Sequence, residues 1–296
     1  MNRSVEIVEV GPRDGLQNES AVLSVEDRLE MIARLEAVGA RRIEAVSFVN
    51  ERRVPQMASA EAIMAALPGN GGRKRIGLVL NQRGWDRAIA SGCDEANVVI
   101  TATDGFGLAN QGATTADQLK GLAGMTGGPP ITVTIAVTFG CPFDGEVSEE
   151  TVRDIAAEAA RLGVAEIAIA DTIGVADPWT ARRRVDLVRK AAPNVHLRAH
   201  FHDTRNTGLA NAFAAVEAGI ETLDASVGGL GGCPFAPGAT GNVPTEDLIY
   251  MLERAGYATG YDLAAVIETG RWVCGKLGKA PISALSRAGS FPKARA

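Results

Sequence analysis

Aromatic residues are scarce: Phe, Trp and Tyr together make up 5% of the 296 residues. The core of so long a chain must therefore be Ala, Val, Ile and Leu, which suits parallel strands packed against helices. No apolar run approaches the roughly 18 residues that mark a membrane-spanning helix. The four cysteines, Cys93, Cys141, Cys233 and Cys274, lie far apart and form no C-x-x-C pair. They read as reduced thiols rather than a disulfide framework. Basic residues are in deficit, 30 Lys and Arg against 35 Asp and Glu, for a net charge of −5. That argues against general nucleic-acid binding, which needs a basic face, but leaves room for a local basic pocket for an anionic substrate. Met1 to Ser4 run straight into an apolar, glutamate-studded segment, without a signal-peptide core or an Arg/Ser-rich transit segment. The expected compartment is the cytoplasm. At 46% apolar and 22% charged, the chain is neither disordered nor collagen-like.

What is present is a repeated unit. A short Val/Ile-rich run, a polar or glycine-containing turn and a helix-period segment recur at a spacing of roughly 28 residues, the pattern of βαβ units. The expected strands are Val5–Val10, Arg42–Phe48, Arg75–Asn81, Glu95–Thr101, Ile131–Thr138, Glu166–Asp171, Val195–His202 and Thr222–Val227. Expected helices include Ser24–Val38, capped by Ser24 and stopped by Gly39, and Thr151–Gly163, preceded by Ser148, Glu149 and Glu150. Thr103–Thr126 shows little periodicity. Eight units predict an α/β fold, a closed (β/α)8 TIM barrel. One domain is expected over residues 1–296, with the barrel at 5–228, a glycine-rich lid loop at 228–244 and a C-terminal helical addition at 245–285. An open doubly wound sheet fits less well, because Gly11-Pro12-Arg13-Asp14-Gly15 after the first strand is not the dinucleotide fingerprint. Gly270–Lys276 matches a phosphate loop only until Leu277, and no strand precedes it.

Barrel active sites lie at the C-terminal ends of the strands. Polar residues there include Arg13, Asp14, Glu44, Asp171, His200, His202, Cys233 and Asn242. Two of the three histidines fall two residues apart on the seventh strand, so both side chains point the same way. An H-x-H pair in a strand is by itself more often coincidence than site. Its position at a strand end, with Asp203 beside it, favours a site. With a carboxylate such as Asp14 and an amide such as Asn242, the pair makes a mixed N/O set suited to a divalent cation, Mg²⁺, Mn²⁺ or Co²⁺ before Zn²⁺. His196 starts the strand and reads as structural. Arg13-Asp14 is also good turn chemistry. Glu44 interrupts an apolar strand and points into the barrel, either as a supporting site group or as a structural ion pair.

Several stretches carry a family resemblance. They are Val8–Glu19, Ile43-Glu44 with Ser47–Val49, Val54–Met57, Gly140–Phe143, Asp171–Val175, His200–Thr204 and Gly229–Phe235, running on through Asn242 to Leu248. Together they resemble the hydroxymethylglutaryl-CoA lyase (HMG-CoA lyase) family over nearly the whole chain. The resemblance implies a metal-dependent barrel lyase that cleaves 3-hydroxy-3-methylglutaryl-CoA to acetyl-CoA and acetoacetate, the chemistry of leucine degradation and ketone body metabolism. It implies Asp14, His200, His202 and Asn242 as metal ligands, Arg13 as stabiliser of the thioester enolate and Cys233 as mobile acid/base. Glu44 and Asp171 become supporting carboxylates. The implied partners are a CoA thioester and further copies of the chain, with neither nucleic acid nor membrane.

The chemistry agrees with that assignment. Cleavage needs the C3 hydroxyl activated by a Lewis acid and a base, Asp14 or His200, to take its proton. It needs positive charge at the enolate oxygen, then an acid for the acetyl carbanion. Two departures stand out: Thr103–Asn110 lacks the paired lysines usual in the family, and Asp203–Thr207 replaces an aromatic and a glycine. They bear on the acyl and CoA contacts, so a lyase for a related 3-hydroxy-3-alkylglutaryl-CoA is the near alternative. A condensing enzyme of the isopropylmalate-synthase type would lack the Gly-Gly-Cys-Pro loop and add a large domain.

Overall fold

The computed structural model describes residues 3–232 and 241–291. Eight parallel strands close into a barrel in chain order. They are β1 (Glu6–Glu9), β2 (Arg42–Ser47), β3 (Lys74–Val79), β4 (Glu95–Thr101), β5 (Ile131–Ala136), β6 (Glu166–Asp171), β7 (His196–Phe201) and β8 (Thr222–Ala225). All eight expected strands are present; several end one or two residues early, so that Asn81, Thr138 and His202 begin the loops. The outer helices are α1 (Val25–Ala37), α2 (Ala60–Ala66), α3 (Gln82–Ala90), α4 (Asp104–Asn110), α5 (Thr115–Gly124), α6 (Glu149–Arg161), α7 (Pro178–Ala191) and α8 (Gly208–Glu217). After the barrel come α9 (Thr245–Arg254), α10 (Leu263–Lys276) and α11 (Ala284–Ala288). Among the described residues, no helix is long and apolar enough to cross a membrane.

Local chemistry explains the helix limits. Ser24 caps α1 by accepting from the Asp27 amide at 3.1 Å. The chain leaves α1 at Gly39, whose φ of +116° and 2.3 Å approach of a hypothetical Cβ to the Gly260 carbonyl admit only glycine. Helix α6 starts two residues before the expected Thr151, because Glu149 and Glu150 form its first turn behind the Ser148 cap. The unpatterned Thr103–Thr126 segment is two helices, the second nucleated by a Thr114/Asp117 capping box. Gly270–Lys276 lies within α10, consistent with the rejection of a phosphate loop.

The apolar core lies mostly between the strands and their helices. It includes Met31, Ile32, Leu35, Ile63, Trp85 and Ile155. A second, separate apolar cluster among the described residues contains just Val8, Val10 and Ile76. Much of the remaining barrel interior is polar and charged. At the N-terminal end, Arg42 bonds to Glu6, Glu95 and Glu166 at 2.7–3.0 Å. His196 sits on that end, bonded to Thr222 at 2.8 Å, as its place at the strand start predicts. Above it, the fully buried Arg198 pairs with Asp224.

Candidate active site

At the opposite end of the barrel, Arg13 and Asp14 sit on a single π-turn, Gly11–Gly15, directly after β1. Such turns are rare and often mark functional positions. His200 is the penultimate residue of β7 and His202 follows the strand; their ring centroids are 5.1 Å apart. Asn242 arrives from the segment before α9. The Asp203 amide bonds to the Gly241 carbonyl at 2.9 Å and the Val243 amide to Phe201 at 3.2 Å, which pins Asn242 beside His202. Gly231 passes so close that a Cβ there would lie 2.5 Å from the Asn242 amide nitrogen, and its φ is +129°. Potential ligand atoms of Asp14, His200 and His202 all lie within 4.8 Å of one another.

The electrostatics prepare this set for a cation. Burial raises the Asp14 carboxyl, but Arg13, His200, His202 and the Asn242 bond outweigh it and hold it well below the usual carboxylate range. Burial and then the neighbouring His200 push His202 down to about 4, so its ring is neutral near pH 7. His200 feels the same burial, yet its 3.0 Å bond to Asp224 through Nδ1 and that carboxylate's charge leave it raised. With Nδ1 on Asp224, Nε2 is the nitrogen left for a ligand, a common arrangement for metal-binding histidines. Among the described residues, Asn242 Oδ1 and His202 Nδ1 are buried without a hydrogen-bond partner. One carboxylate, two imidazoles and an orphaned amide oxygen fit a divalent cation.

Arg13 is placed by two carboxylates, Asp14 at 2.7 Å and Glu44 at 2.5 Å. Glu44 is fully buried beside an irregularity in the β2–β3 register. Its other oxygen accepts from the Asn97 amide at 2.8 Å, and the Thr134 hydroxyl donates to Asn97 Oδ1 at 2.7 Å. Both readings of Glu44 therefore meet: it is an ion-pair partner, and its partner is the site arginine. A cavity of about 130 Å³ is lined by Arg13, Asp14, His200 and His202 on one side and by Leu78, Val99 and Phe106 on another.

Asp171 stands apart from this cluster. Its oxygens accept from the Val175 and Ala176 amides at 2.8 and 3.0 Å, ordering the turn after β6. Burial pushes it up to about 6. The preceding Ala170 lines the cavity; Asp171 does not. Cys233 lies outside the described residues. Cys93 and Cys274 are buried thiols pushed up to about 12 and 11 by desolvation, hence inert. Sequence reasoning passed over Asp224, Asn97 and Thr134. Their signal is the one that exposed Glu44, a polar residue in an otherwise apolar strand.

A closed barrel whose strand ends carry a divalent-cation set beside a fixed guanidinium defines a metal-dependent barrel enzyme. The chain belongs to the HMGL-like family, whose model matches residues 4–273. It is 44% identical to an (R)-citramalyl-CoA lyase from Chloroflexus aurantiacus, over 95% of this chain and 93% of that protein. It is 40% identical to a hydroxymethylglutaryl-CoA lyase from Pseudomonas mevalonii, over 94% of each. Among solved structures, an HMG-CoA lyase from Acinetobacter baumannii in complex with coenzyme A and 3-methylmalate superposes with a TM-score of 0.95 at 37% identity. That match covers 99% of this chain and 97% of the other.

Two outcomes are expected. His202→Ala should fold but bind less than one divalent ion per chain by elemental analysis; full stoichiometry in that variant would remove His202 from the ligand set. Thr134→Val, which keeps the shape and loses the hydroxyl, should lower kcat about tenfold with little change in KM, and Thr134→Ser should restore it. That loss should shrink in an Arg13→Lys background if the hydroxyl acts through Asn97 and Glu44 on Arg13; an undiminished loss would mean direct contact with substrate.

Proposed function

We propose that this protein is a divalent-metal-dependent carbon–carbon lyase that splits (S)-3-hydroxy-3-methylglutaryl-CoA into acetyl-CoA and acetoacetate. The observation that carries the reading is the meeting of Arg13, Asp14, His200 and His202 in one cavity at the C-terminal barrel mouth. Asp14, His200, His202 and Asn242 would hold the cation, Mg²⁺ or Mn²⁺. Once bound, it supplies Lewis-acid activation of the C3 hydroxyl. Asp14, kept ionised by Arg13, takes the hydroxyl proton. As the C2–C3 bond breaks, its electron pair passes to the thioester as an enolate and the C3 oxygen becomes the ketone of acetoacetate. Arg13, held by Asp14 and Glu44, offers fixed donors where the enolate oxygen forms, without reorganising during the step. Cys233 is assigned the acid that protonates C2. Its support is the sequence motif and its chain neighbour Gly232, which lines the cavity. Glu44 and Asp171 support the site, one through Arg13 and the other through the turn after β6. The three described cysteines are free thiols, which suits a reducing compartment, and we place the enzyme in the cytoplasm, as a homo-oligomer.

A related acyl chain is the second reading, favoured by the higher identity to the citramalyl-CoA lyase, 44% against 40%. The deciding experiment compares acetyl-CoA release from hydroxymethylglutaryl-CoA, bulkier 3-hydroxy-3-alkylglutaryl-CoA thioesters and citramalyl-CoA, with and without added metal. Fastest, metal-dependent turnover of hydroxymethylglutaryl-CoA is expected. Fastest turnover of another thioester would move the substrate, and no turnover of any would overturn the lyase reading. Arg13→Lys should fold and bind metal but lose about 10²-fold or more in kcat, because an ammonium lacks the planar fork. Unchanged turnover would reduce Arg13 to a turn residue.

A further inference from the structure

Arg198 is fully buried in the barrel interior, two residues before His200 on β7, so the two side chains leave the strand on the same face. Its Nε donates to Asp224, and its Nη1 lies 3.6 Å from Glu166. The charge of Glu44 acts on it as well. Among the described residues, Nη1 and Nη2 have no hydrogen-bond partner. A buried guanidinium with two unpartnered nitrogens is an unfavourable way to fill a core, where an apolar side chain of similar volume packs as well or better. Packing therefore does not account for Arg198.

Its place beside Asp224 does. The β7–β8 register sets Arg198 opposite Thr222, which brings Asp224, two residues further on, level with His200. Asp224 then binds Arg198 with one oxygen and His200 Nδ1 with the other, the latter at 3.0 Å. A carboxylate held through one oxygen can turn about its Cβ–Cγ bond; held through both, it turns only by breaking a hydrogen bond. Arg198 thus fixes the carboxylate plane, the plane fixes the imidazole, and Nε2 is left to a ligand. Asp224 lines the catalytic cavity and Arg198 does not, so the arginine acts from behind the site. Arg42 bonds to Glu166 too, but its other partners are Glu6 and Glu95, at the far end of the barrel.

We propose that Arg198 is a positioning residue for the divalent cation: by pinning Asp224 from behind, it holds the His200 ring in the orientation that binds metal. The proposal rests on the lyase reading for the cation and for the reaction it serves.

The test is calorimetric titration of Mn²⁺ into the metal-free wild type, Arg198→Met, Asp224→Asn and the variant carrying both changes. Arg198→Met should bind Mn²⁺ about tenfold more weakly, the scale of loss seen when a group that orients a metal ligand is removed. In the Asp224→Asn background the same change should alter Kd less than about twofold, because its route to His200 is already gone. Leaving a buried charge uncompensated can unfold a chain, so the charge-balanced Arg198→Met/Glu166→Gln is titrated as well, with the same loss expected as for Arg198→Met. Arg42→Met, which breaks the cluster at the far end of the barrel, should lower thermal stability and leave Mn²⁺ affinity unchanged. In turnover, saturating Mn²⁺ should return kcat of Arg198→Met to within about threefold of wild type. Wild-type Mn²⁺ affinity without Arg198 would overturn the proposal, as would equal weakening by Arg42→Met or an undiminished loss beside Asp224→Asn. The titration needs no turnover. Arg198-dependent Mn²⁺ binding in a protein that cleaves no thioester would sink the lyase reading alone; metal-dependent cleavage with Arg198-independent Mn²⁺ binding would sink this proposal alone.

Discussion

The site depends on Asp224, a buried carboxylate shared between a cation of the barrel interior and a histidine of the mouth. One of its oxygens binds Arg198 Nε, and the other meets His200 Nδ1 at 3.0 Å. Arg198 lies 3.6 Å from Glu166, and Glu166 bonds to Arg42 on the N-terminal face. A column of alternating charge therefore runs through the barrel from one end to the other. Burying so many ions is expensive, and removing one partner typically costs about 3–5 kcal/mol because the other is left uncompensated. The chain tolerates this because its apolar core lies mostly outside the sheet, where strands meet helices. Burial raises the Asp224 carboxyl, but Arg198 and His200 outweigh that and hold it low, so it stays an acceptor for the ring. The orientation of His200 is in this way inherited from the centre of the barrel.

A second column reaches the mouth on the other side. Thr134 fixes the Asn97 amide, Asn97 fixes one oxygen of Glu44, and the other oxygen fixes Arg13. A threonine hydroxyl has one proton. Donating it to Asn97 Oδ1 settles which end of that amide faces Glu44. The two columns converge on Asp14, which binds Arg13 with one oxygen and lies 3.9 Å from His202 Nε2 with the other. One carboxylate thereby couples the guanidinium of the enolate side to the cation set of the hydroxyl side.

Most of this architecture was legible in the chain because it rests on period. Val/Ile-rich runs recurring between turns and helix-period segments gave all eight strands, and the alternation of side chains along a strand put His200 and His202 on one face. Glu44 announced itself as a charge in an apolar strand. The identical signal at Asp224 and Asn97 means little until β8 and β4 are set beside their neighbours, since their partners lie 24 and 53 residues away. Asp171 shows the converse. It ends β6 one residue beyond Ala170, which lines the cavity, so alternation already turns it from the mouth toward the backbone it orders. Helices α4 and α5 were hidden for another reason: glycines and a break at Gln111–Thr114 leave each too short for a periodic stripe.

The reacting groups are carried by strand ends and a π-turn, tied to buried charge columns that leave them little freedom. A change in acyl preference made at Asn97 or Thr134, which line the cavity, would act on Arg13 through Glu44. Substrate choice and transition-state stabilisation are coupled there by two hydrogen bonds.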